Sequence, residues 1–373
     1  MAVMIFKPIE TCNANCIYCN VISKNNQAKM DYQLLELVFE RINEYLLKFE
    51  VEPMHFTWHG GEVCTLGEEF IEYAFELQER ICAHTKQRIR HLVQSNLTLI
   101  NQRYIDAFRR LGVDNIGTSY EPLPGFRGLG KKRNSTLYNQ KFMEGINLLE
   151  RNSIPWGAIY VVHKKSLGNG RKIFDFFSNL NPRRLPNFNM VHVFGRDDLD
   201  LAISGEQFAE FLGEIFPHYW QHRSRFGPVQ PFDRFISAIA NNEPVGLCEF
   251  SGKCARQWIY VGPDGTASQC GIAGDYSILQ YGNIRDRSIE DILSDDQRIG
   301  LEERVSFLKG SSCKGCRFWG VCRGGCPSYA YLENGTLHSR SQDCGSVKKF
   351  ISEYFEPITG LKCNLPPDSD QFA

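Results

Sequence analysis

From Val3 to about Phe216, short apolar runs alternate with longer amphipathic runs. The apolar run 3–6 and the alternating run 54–58 have the length and the period of strands. Between them, Asp31 stands at a helix-cap position, ahead of apolar residues that recur every three or four positions. The same alternation predicts strands over 89–94, 114–119, 156–162 and 188–194, and helices over 67–83, 102–111, 138–150, 170–178 and 205–218.

About six strand–helix units in a row predict an α/β fold, because neighbouring parallel strands need crossover connections. Six units rather than eight indicate a partial (β/α)6 barrel of the TIM type, although the pattern alone does not fix that number. In such folds, functional residues lie at the carboxyl ends of the strands. The loops that follow the strands are therefore where chemistry is expected.

The second half of the chain is rich in cysteine and poor in long helices. Residues 257–268 predict a β-hairpin around the turn at 262–265. The predicted domains are a barrel over 1–225, a small cysteine-rich domain over 226–360, and a flexible tail over 361–373, where prolines and polar residues concentrate.

Composition excludes several classes of protein. The 373 residues carry a net charge of -1, and 23% of them are charged, so nothing electrostatic favours nucleic acid or an anionic membrane as a partner. No apolar run approaches the ~20 residues of a membrane span, and no signal peptide precedes the first cysteines. Fourteen cysteines in a chain expected in the reducing cytoplasm indicate metal ligation rather than disulfides.

Cys12, Cys16 and Cys19 follow the first predicted strand with the spacing C-x3-C-x2-C. Three thiolates can hold three irons of a [4Fe–4S] cluster and leave the fourth iron open to a small molecule. Two alternatives compete with this interpretation. A structural zinc site normally takes four ligands in pairs, and a disulfide knot needs an oxidising compartment.

Eight further cysteines follow the predicted barrel: Cys248, Cys254, Cys270, Cys313, Cys316, Cys322, Cys326 and Cys344. Two zinc knuckles could also use eight thiolates, since C-x2-C is a common zinc pattern. The remaining cysteines are Cys64, Cys82 and Cys363. For Cys64 and Cys82 we expect burial, because free cysteine packs as a small hydrophobe.

Polar residues end several predicted strands. Gly60 and Gly61 allow a close backbone approach, and Glu62 offers a carboxylate to an ammonium group, although an ordinary turn would look the same. Ser95 and Asn96 end the third strand, and Ser119 ends the fourth. Arg133 could pair with a carboxylate, or it could be a surface cation within the basic run 131–133.

The first cysteine motif, with Tyr18 before its last cysteine, closely resembles the signature of radical S-adenosylmethionine (SAM) enzymes. The later cysteines, in the order C-x5-C, C, C-x2-C-x5-C-x3-C, C, are similar to the SPASM domain, a carboxyl-terminal extension that carries two auxiliary [4Fe–4S] clusters. This resemblance implies that one electron cleaves SAM at the first cluster. The resulting 5′-deoxyadenosyl radical then abstracts a hydrogen from the substrate.

The resemblance also implies roles for individual residues. Metal ligands would be Cys12, Cys16 and Cys19 for the SAM cluster, Cys248, Cys254, Cys270 and Cys326 for the first auxiliary cluster, and Cys313, Cys316, Cys322 and Cys344 for the second. SAM-binding residues would be Tyr18, Gly60, Gly61, Glu62, Ser95, Asn96, Ser119 and Arg133. The expected partners are a peptide or protein substrate and an electron donor such as flavodoxin or ferredoxin.

Length and cysteine layout resemble the anaerobic sulfatase-maturing enzymes, which oxidise a Cys or Ser to formylglycine. In those enzymes an aspartate that serves as the proton acceptor follows the third auxiliary-cluster cysteine, whereas Gly271 follows Cys270 here. Asp275 or Asp233 could substitute, and Glu121 is a further candidate. Each of the three has a structural role as its alternative.

We therefore expect a maturase of ribosomally made peptides (RiPPs) that forms a crosslink at an unactivated carbon. Formylglycine formation is the second hypothesis, and a small-molecule substrate stays open. Cys12 lies so near the first residue that a leader-binding domain is expected to be a separate protein, unless the barrel mouth reads the peptide directly. A non-catalytic iron–sulfur or zinc scaffold is the alternative from another class.

Overall fold

A computed structural model describes residues 2–19, 27–50, 53–194, 200–241, 243 and 245–363. The chain forms two compact units: Met1–Gly157 with Arg256–Arg298, and Ala158–Ala255 with Ile299–Ala373. The units do not follow the predicted domain boundary at residue 225, which stays a prediction about the sequence. Residues 364–373 of the predicted tail lie outside the described residues.

The strands and helices follow in chain order. The strands are β1 (Ala2–Phe6), β2 (Met54–Trp58), β3 (Ile89–Gln94), β4 (Val113–Ser119), β5 (Trp156–Val162), β6 (Asn187–Met190), β7 (Trp258–Val261), β8 (Thr266–Ser268) and β9 (Gln280–Asn283). The helices are α1 (Tyr32–Lys48), α2 (Glu68–Ile81), α3 (Gln102–Leu111), α4 (Ser135–Arg151), α5 (Gly170–Leu180), α6 (Gly205–His222), α7 (Phe232–Asn241), α8 (Cys248–Ser251), α9 (Gly271–Asp275), α10 (Ile289–Leu293), α11 (Ile299–Gly310), α12 (Trp319–Cys322), α13 (Pro327–Asn334), α14 (Asp343–Lys349) and α15 (Glu356–Thr359). Short 3-10 turns lie at Val63–Thr65, Lys86–Arg88, Lys164–Ser166, Arg223–Arg225, Cys254–Arg256 and Asp296–Arg298, and a π-helix spans Phe350–Phe355.

The alternation of strands and helices from β1 to α6 confirms the predicted α/β class. Local chemistry explains why the elements begin where they do. The Asp31 carboxylate accepts a hydrogen bond from Leu34 N at 2.7 Å and caps α1, as predicted. Asn101 and Asn134 cap α3 and α4 in the same way.

The first unit contains one sheet in the order β4-β3-β2-β1-β7-β8-β9. β1 to β4 are parallel, β7 is parallel to β1, and β8 and β9 complete an antiparallel meander. Alternate residues of β1 and β2 are fully buried, among them Phe6 and Trp58. The carboxyl ends of the parallel strands share one edge, which brings the cysteine loop, the Gly60-Gly61 turn and the Ser95-Asn96 segment together.

The second unit contains β5 from Ala158 onwards, which pairs in parallel with β6. Its core is aromatic: the Phe216 ring lies 5.1 Å from Phe232, 5.2 Å from Phe350 and 5.6 Å from Phe355, centroid to centroid. These contacts join α6, α7 and the π-helix, and edge-to-face and stacked rings add to the free energy gained from burial. Among the described residues, none of the helices combines the length and the apolar composition that crossing a bilayer requires.

Candidate active site

Two glycines hold the end of β2 against the chain that enters the cysteine loop. Gly61 N donates to Ile9 O and Glu62 N donates to Thr11 O, both at 3.0 Å. A Cβ on Gly60 would lie 2.5 Å from Ile9 O, and one on Gly61 would collide with backbone oxygens of Glu10 and Thr11. The close approach expected of this pair is thus made to the protein's own backbone, and contact of Gly60 and Gly61 with SAM stays a prediction.

The segment 126–134 holds the other side of the cysteine loop. Asn15 N donates to Gly128 O at 2.8 Å, and Ile17 N donates to Phe126 O at 3.0 Å. Arg133, in the left-handed region with φ of 48°, donates from Nε to Asn15 O at 2.6 Å. Arg133 therefore helps to hold the cysteine loop in place. Its pairing with the SAM carboxylate stays a prediction.

Arg127 was not among the predicted site residues, although it lies in a glycine-rich segment after β4. Its guanidinium is 8% exposed and donates to the hydroxyls of Tyr18 at 2.9 Å and Tyr138 at 3.4 Å. Burial raises the pKa of the Cys16 thiol, while Arg127 and Arg133 lower it. Two cations thus favour an anionic group at this loop.

Glu62 is 1% exposed, and three donors already surround its carboxylate. Cys64 N donates at 3.0 Å, Asn96 N at 2.6 Å and Ser95 Oγ at 2.8 Å. Burial raises the pKa of this carboxyl, and hydrogen bonds from Asn96, Cys64 and Ser95 act in the opposite direction. The contact of Glu62 with the SAM ammonium group stays a prediction.

Asn96 links the end of β3 to the first cysteine. Its Nδ2 donates to Asn13 Oδ1 at 3.0 Å and approaches Cys12 Sγ at 3.7 Å, while its Oδ1 accepts from Thr98. Nearby, Gln94 Nε2 donates to Ser119 Oγ at 3.3 Å, so the predicted Ser119 lies at the neighbouring strand end. These amides orient the loop as well as the strand ends.

The residues of this loop fit a [4Fe–4S] cluster with an open iron. Cys12, Cys16 and Cys19 are partly buried free thiols, and Ala14 N donates to Cys12 Sγ at 3.4 Å, the kind of N–H···S bond that tunes cluster sulfurs. Burial, the Glu62 charge and the other two thiols together raise the pKa of Cys12 to about 12, against the hydrogen bond from Ala14 N. Among the described residues, no three His, Cys, Asp or Glu side chains converge on a single metal ion; cluster thiolates each bind a different iron.

A polar cluster lies beside this loop at the carboxyl end of β1. Lys7 is 2% exposed, and its Nζ lies 2.5 Å from Asp275 Oδ1 on α9 and 3.9 Å from Glu10 Oε1. Burial lowers the pKa of the neighbouring His59, and the Lys7 charge lowers it further. Asp275 was a predicted catalytic residue, and Lys7 was not. The position of Lys7 directly after a buried strand could have indicated a functional residue, because functional side chains lie at the carboxyl ends of parallel strands.

The other two predicted catalytic residues have clear structural contacts. Asp233, in the second unit, accepts from Tyr219 Oη at 2.8 and 2.9 Å and from Val229 N at 2.5 Å, and these bonds hold the start of α7. Glu121, in the first unit, is 2% exposed and accepts from Leu123 N at 3.1 Å. Their catalytic roles stay predictions, and the geometry of Asp233 favours a structural role.

The later cysteines divide between the units. Cys313, Cys316, Cys322 and Cys344 belong to the second unit. There burial and, after it, the other three thiols raise the pKa of Cys322 to about 12, as expected of neighbours in one cluster site. Of the first auxiliary set, Cys270 belongs to the first unit and the other three to the second, so that set stays a prediction. Cys64, Cys82 and Cys363 are buried.

Comparison with known proteins agrees with these two cysteine-rich sites. The family model described as the radical SAM superfamily matches residues 6–177, and that of SPASM, an iron–sulfur cluster-binding domain, matches residues 248–317. The chain belongs to the radical SAM superfamily. It is a radical SAM enzyme with a SPASM domain, and its cofactors are SAM and [4Fe–4S] clusters.

Curated relatives of this radical SAM enzyme include sulfatase-maturating enzymes and a peptide cyclase. It is 25% identical to the serine-type anaerobic sulfatase-maturating enzyme of Bacteroides thetaiotaomicron, over 87% of this chain and 82% of the relative. The cysteine-type enzyme of Clostridium perfringens is 21% identical, over 97% and 98%. PqqA peptide cyclase of Granulibacter bethesdensis is 20% identical, over 89% and 84%.

Solved structures share the fold. Native anSMEcpe with bound AdoMet and Kp18Cys peptide superposes with a TM-score of 0.83 at 19% identity, over 96% of this chain and 99% of that one. Streptococcus suis SuiB bound to its precursor peptide SuiA gives 0.58 at 16%, over 91% and 74%. The predicted partial (β/α)6 barrel followed by a SPASM domain is confirmed.

Replacing Gly61 with alanine tests the contact that holds the cysteine loop. We expect Gly61→Ala to displace residues 10–11, to lower the iron content by about four of about twelve per chain, and to abolish reductive SAM cleavage. Gly157→Ala is the control, because its Cβ would meet nothing within 4 Å. Iron and 5′-deoxyadenosine are measured after anaerobic reconstitution; a fully loaded, active Gly61→Ala protein would contradict the argument.

Glu62→Gln tests the buried acceptor. The amide would turn a donor towards one of three N–H or O–H groups, so we expect the free energy of unfolding to fall by roughly 1–3 kcal/mol. Glu44→Gln is the control. It removes an exposed carboxylate paired with Arg41 and should change the free energy of unfolding by less than about 1 kcal/mol. Urea unfolding of the reconstituted proteins measures both, and equal effects would refute a special role for Glu62.

Proposed function

We propose that this enzyme is a peptide maturase that forms a crosslink at an unactivated side-chain carbon. The observation that carries the proposal is Gly271 after Cys270, where the sulfatase-maturing pattern has its proton acceptor. The relatives support a peptide or protein substrate, since they are named for sulfatase maturation and peptide cyclisation.

Among the predicted bases, Asp275 is the one that shares the short helix α9 with Gly271. Cys270 is the N-cap of α9, and a Cβ on Gly271 would lie 3.6 Å from Ile5 Cγ2, an apolar neighbour. The nearest predicted carboxylate, Asp275, forms an ion pair with the buried Lys7. This contact engages the carboxylate, so a reaction that uses Asp275 as its base would first have to separate it from Lys7.

A crosslink needs less from the protein. When bound, SAM and its cluster supply the radical that removes one hydrogen atom from a side-chain carbon. As the new bond forms, the second side chain releases a proton to water, and one electron passes to a low-potential iron–sulfur or flavin carrier. The chain's own tasks are then to position the peptide, to exclude water and to hold the clusters.

Formylglycine formation is the second candidate. Two sulfatase-maturating relatives and the TM-score of 0.83 favour it, and Asp275 would be its base if substrate binding separates the carboxylate from Lys7. Both candidates share the SAM contacts proposed for Glu62 with the ammonium group and for Arg133 with the carboxylate.

We also propose that the enzyme acts in the reducing cytoplasm with flavodoxin or ferredoxin as its electron donor. All fourteen cysteines are free thiols, which suits a compartment that keeps cluster ligands reduced.

The two candidates differ in product rather than in radical chemistry. A crosslink and the oxidation of Ser to formylglycine both remove two hydrogens, so mass alone does not separate them. We expect candidate precursor peptides encoded beside the enzyme to lose two hydrogens and to stay unreactive towards an aldehyde-trapping hydrazide. A hydrazide adduct, on these peptides or on sulfatase-derived peptides, would establish formylglycine formation instead.

Asp275→Asn tests the base directly. For a crosslinking enzyme, we expect product and 5′-deoxyadenosine to stay within a few-fold of wild type, because no step uses this carboxylate. Since the single variant leaves the Lys7 ammonium buried and unpaired, the double variant Lys7→Met with Asp275→Asn is the stability control. Loss of product with unchanged 5′-deoxyadenosine formation in both variants would favour Asp275 as the base for formylglycine.

A further inference from the structure

One arginine of the second unit is buried among cysteines. Arg304, on α11, is 2% exposed. Its Nη2 donates to Gly324 O at 2.8 Å and Ser339 O at 2.9 Å, and its Nη1 donates to Arg323 O at 3.4 Å. Its buried Nε has no hydrogen-bond partner among the described residues.

No carboxylate of the described residues pairs directly with this guanidinium. Within the described ranges, no Asp or Glu oxygen forms an ion pair with Arg304. Asp343 is close enough for the guanidinium to lower its pKa, although burial raises that pKa more. The Asp343 carboxylate instead accepts from Ser341 Oγ at 2.6 Å and Cys326 N at 3.4 Å. A buried cation without a counter-charge is costly, and removing it from water takes several kcal/mol.

Besides Asp343, the nearby groups that can become anionic are the cysteines expected to hold clusters. Arg304 lies within electrostatic range of Cys326 and Cys254, from the first auxiliary set, and of Cys313 and Cys322, from the second. As thiolates on iron, these four would surround the guanidinium with negative charge. The residues present thus fit two anionic clusters, and the orphaned Nε fits a cation that lacks its partner until they form.

Arg304 donates hydrogen bonds to the loop that connects Cys322, of the second auxiliary set, to Cys326, of the first. Arg323, Gly324 and Gly325 separate Cys322 from Cys326, and both glycines have left-handed φ angles of 83° and 75°. A Cβ on Gly324 would lie 2.5 Å from Leu308 Cδ1, one turn beyond Arg304 on α11. Arg304 therefore fixes the point at which the chain leaves one cluster site for the other.

We propose that Arg304 is a counter-ion shared by both auxiliary clusters and a positioning residue that raises their reduction potentials. Each cluster gains one negative charge when it accepts an electron, and a desolvated cation stabilises that reduced form. The proposal rests on the assignment of these cysteines to auxiliary clusters and is independent of the substrate.

The experiment compares wild type with Arg304→Gln, Arg304→Lys and Arg317→Gln after anaerobic reconstitution. All are made in a background in which Cys12, Cys16 and Cys19 are alanine, so that only auxiliary clusters remain. Iron and sulfide are counted first, and each cluster is then titrated by electron paramagnetic resonance. Arg317 is the matched control: it is next to Cys316, but it is 47% exposed and pairs with Glu356 at 2.6 Å.

We expect about eight irons per chain in wild type and lower midpoint potentials for both clusters in Arg304→Gln. Arg304→Lys, which keeps the charge, should lie near wild type, and Arg317→Gln should not shift. Unchanged potentials in a fully loaded Arg304→Gln protein would overturn the proposal. If Arg304→Gln loses its clusters, Arg304→Lys decides: retained clusters support the shared charge, and equal loss overturns it.

Fewer than about eight irons in the wild-type background would count against the auxiliary clusters themselves. That outcome differs from a failed counter-ion, which leaves the iron count intact and the potentials unmoved. Neither outcome bears on the choice between crosslinking and formylglycine formation.

Discussion

The active site depends on one close backbone contact, between the Gly60-Gly61 turn and residues 9–11. The turn can lie there only because neither residue has a Cβ, and two backbone hydrogen bonds then fix its distance from the chain that leaves β1. The same turn places Glu62 in the interior, where its carboxylate accepts hydrogen bonds from residues that follow β2 and β3. Without this contact, the cysteine loop would be held only by the 126–134 segment and by the hydrogen bonds from Asn96, and we expect its three thiols to lose their common geometry.

Three buried cations of this protein differ in how their charge is compensated. Lys7 is buried with its counter-ion, Asp275, already in place. Arg127 shares its donors between two tyrosine hydroxyls beside the first cysteine loop, and Arg304 is anchored by backbone carbonyls near four later cysteines. The last two cations are held by neutral acceptors, which satisfy hydrogen bonds without cancelling charge. Such an arrangement is stable when an anionic group completes it, and both arginines lie where cluster thiolates are expected.

Local pattern was enough to predict most of the first half. Strands over 54–58, 89–94 and 156–162 have the predicted bounds, because alternation and flanking turns are local signals. The cysteine spacing and the resemblance it carries identified the family. What local pattern could not show is pairing across long stretches of chain. The hairpin strand β7, predicted within the cysteine-rich domain, lies beside β1 in the first unit's sheet. The roles of Lys7, Arg127 and Arg304 likewise depend on contacts with residues distant in sequence, so local pattern could not predict them.

The substrate is less determined than the radical chemistry for a physical reason. The contacts around the first cysteine loop are backbone hydrogen bonds and hydrogen bonds to a buried carboxylate, which few substitutions can satisfy. The proposed difference in proton transfer, by contrast, concerns a single position at the start of a short helix, α9, where this chain has Gly271. Exchanging aspartate for glycine there removes a base without disturbing the sheet, since the apolar Ile5 side chain already faces that position. A single position of this kind can redirect the outcome of a radical reaction while the frame that generates the radical stays the same.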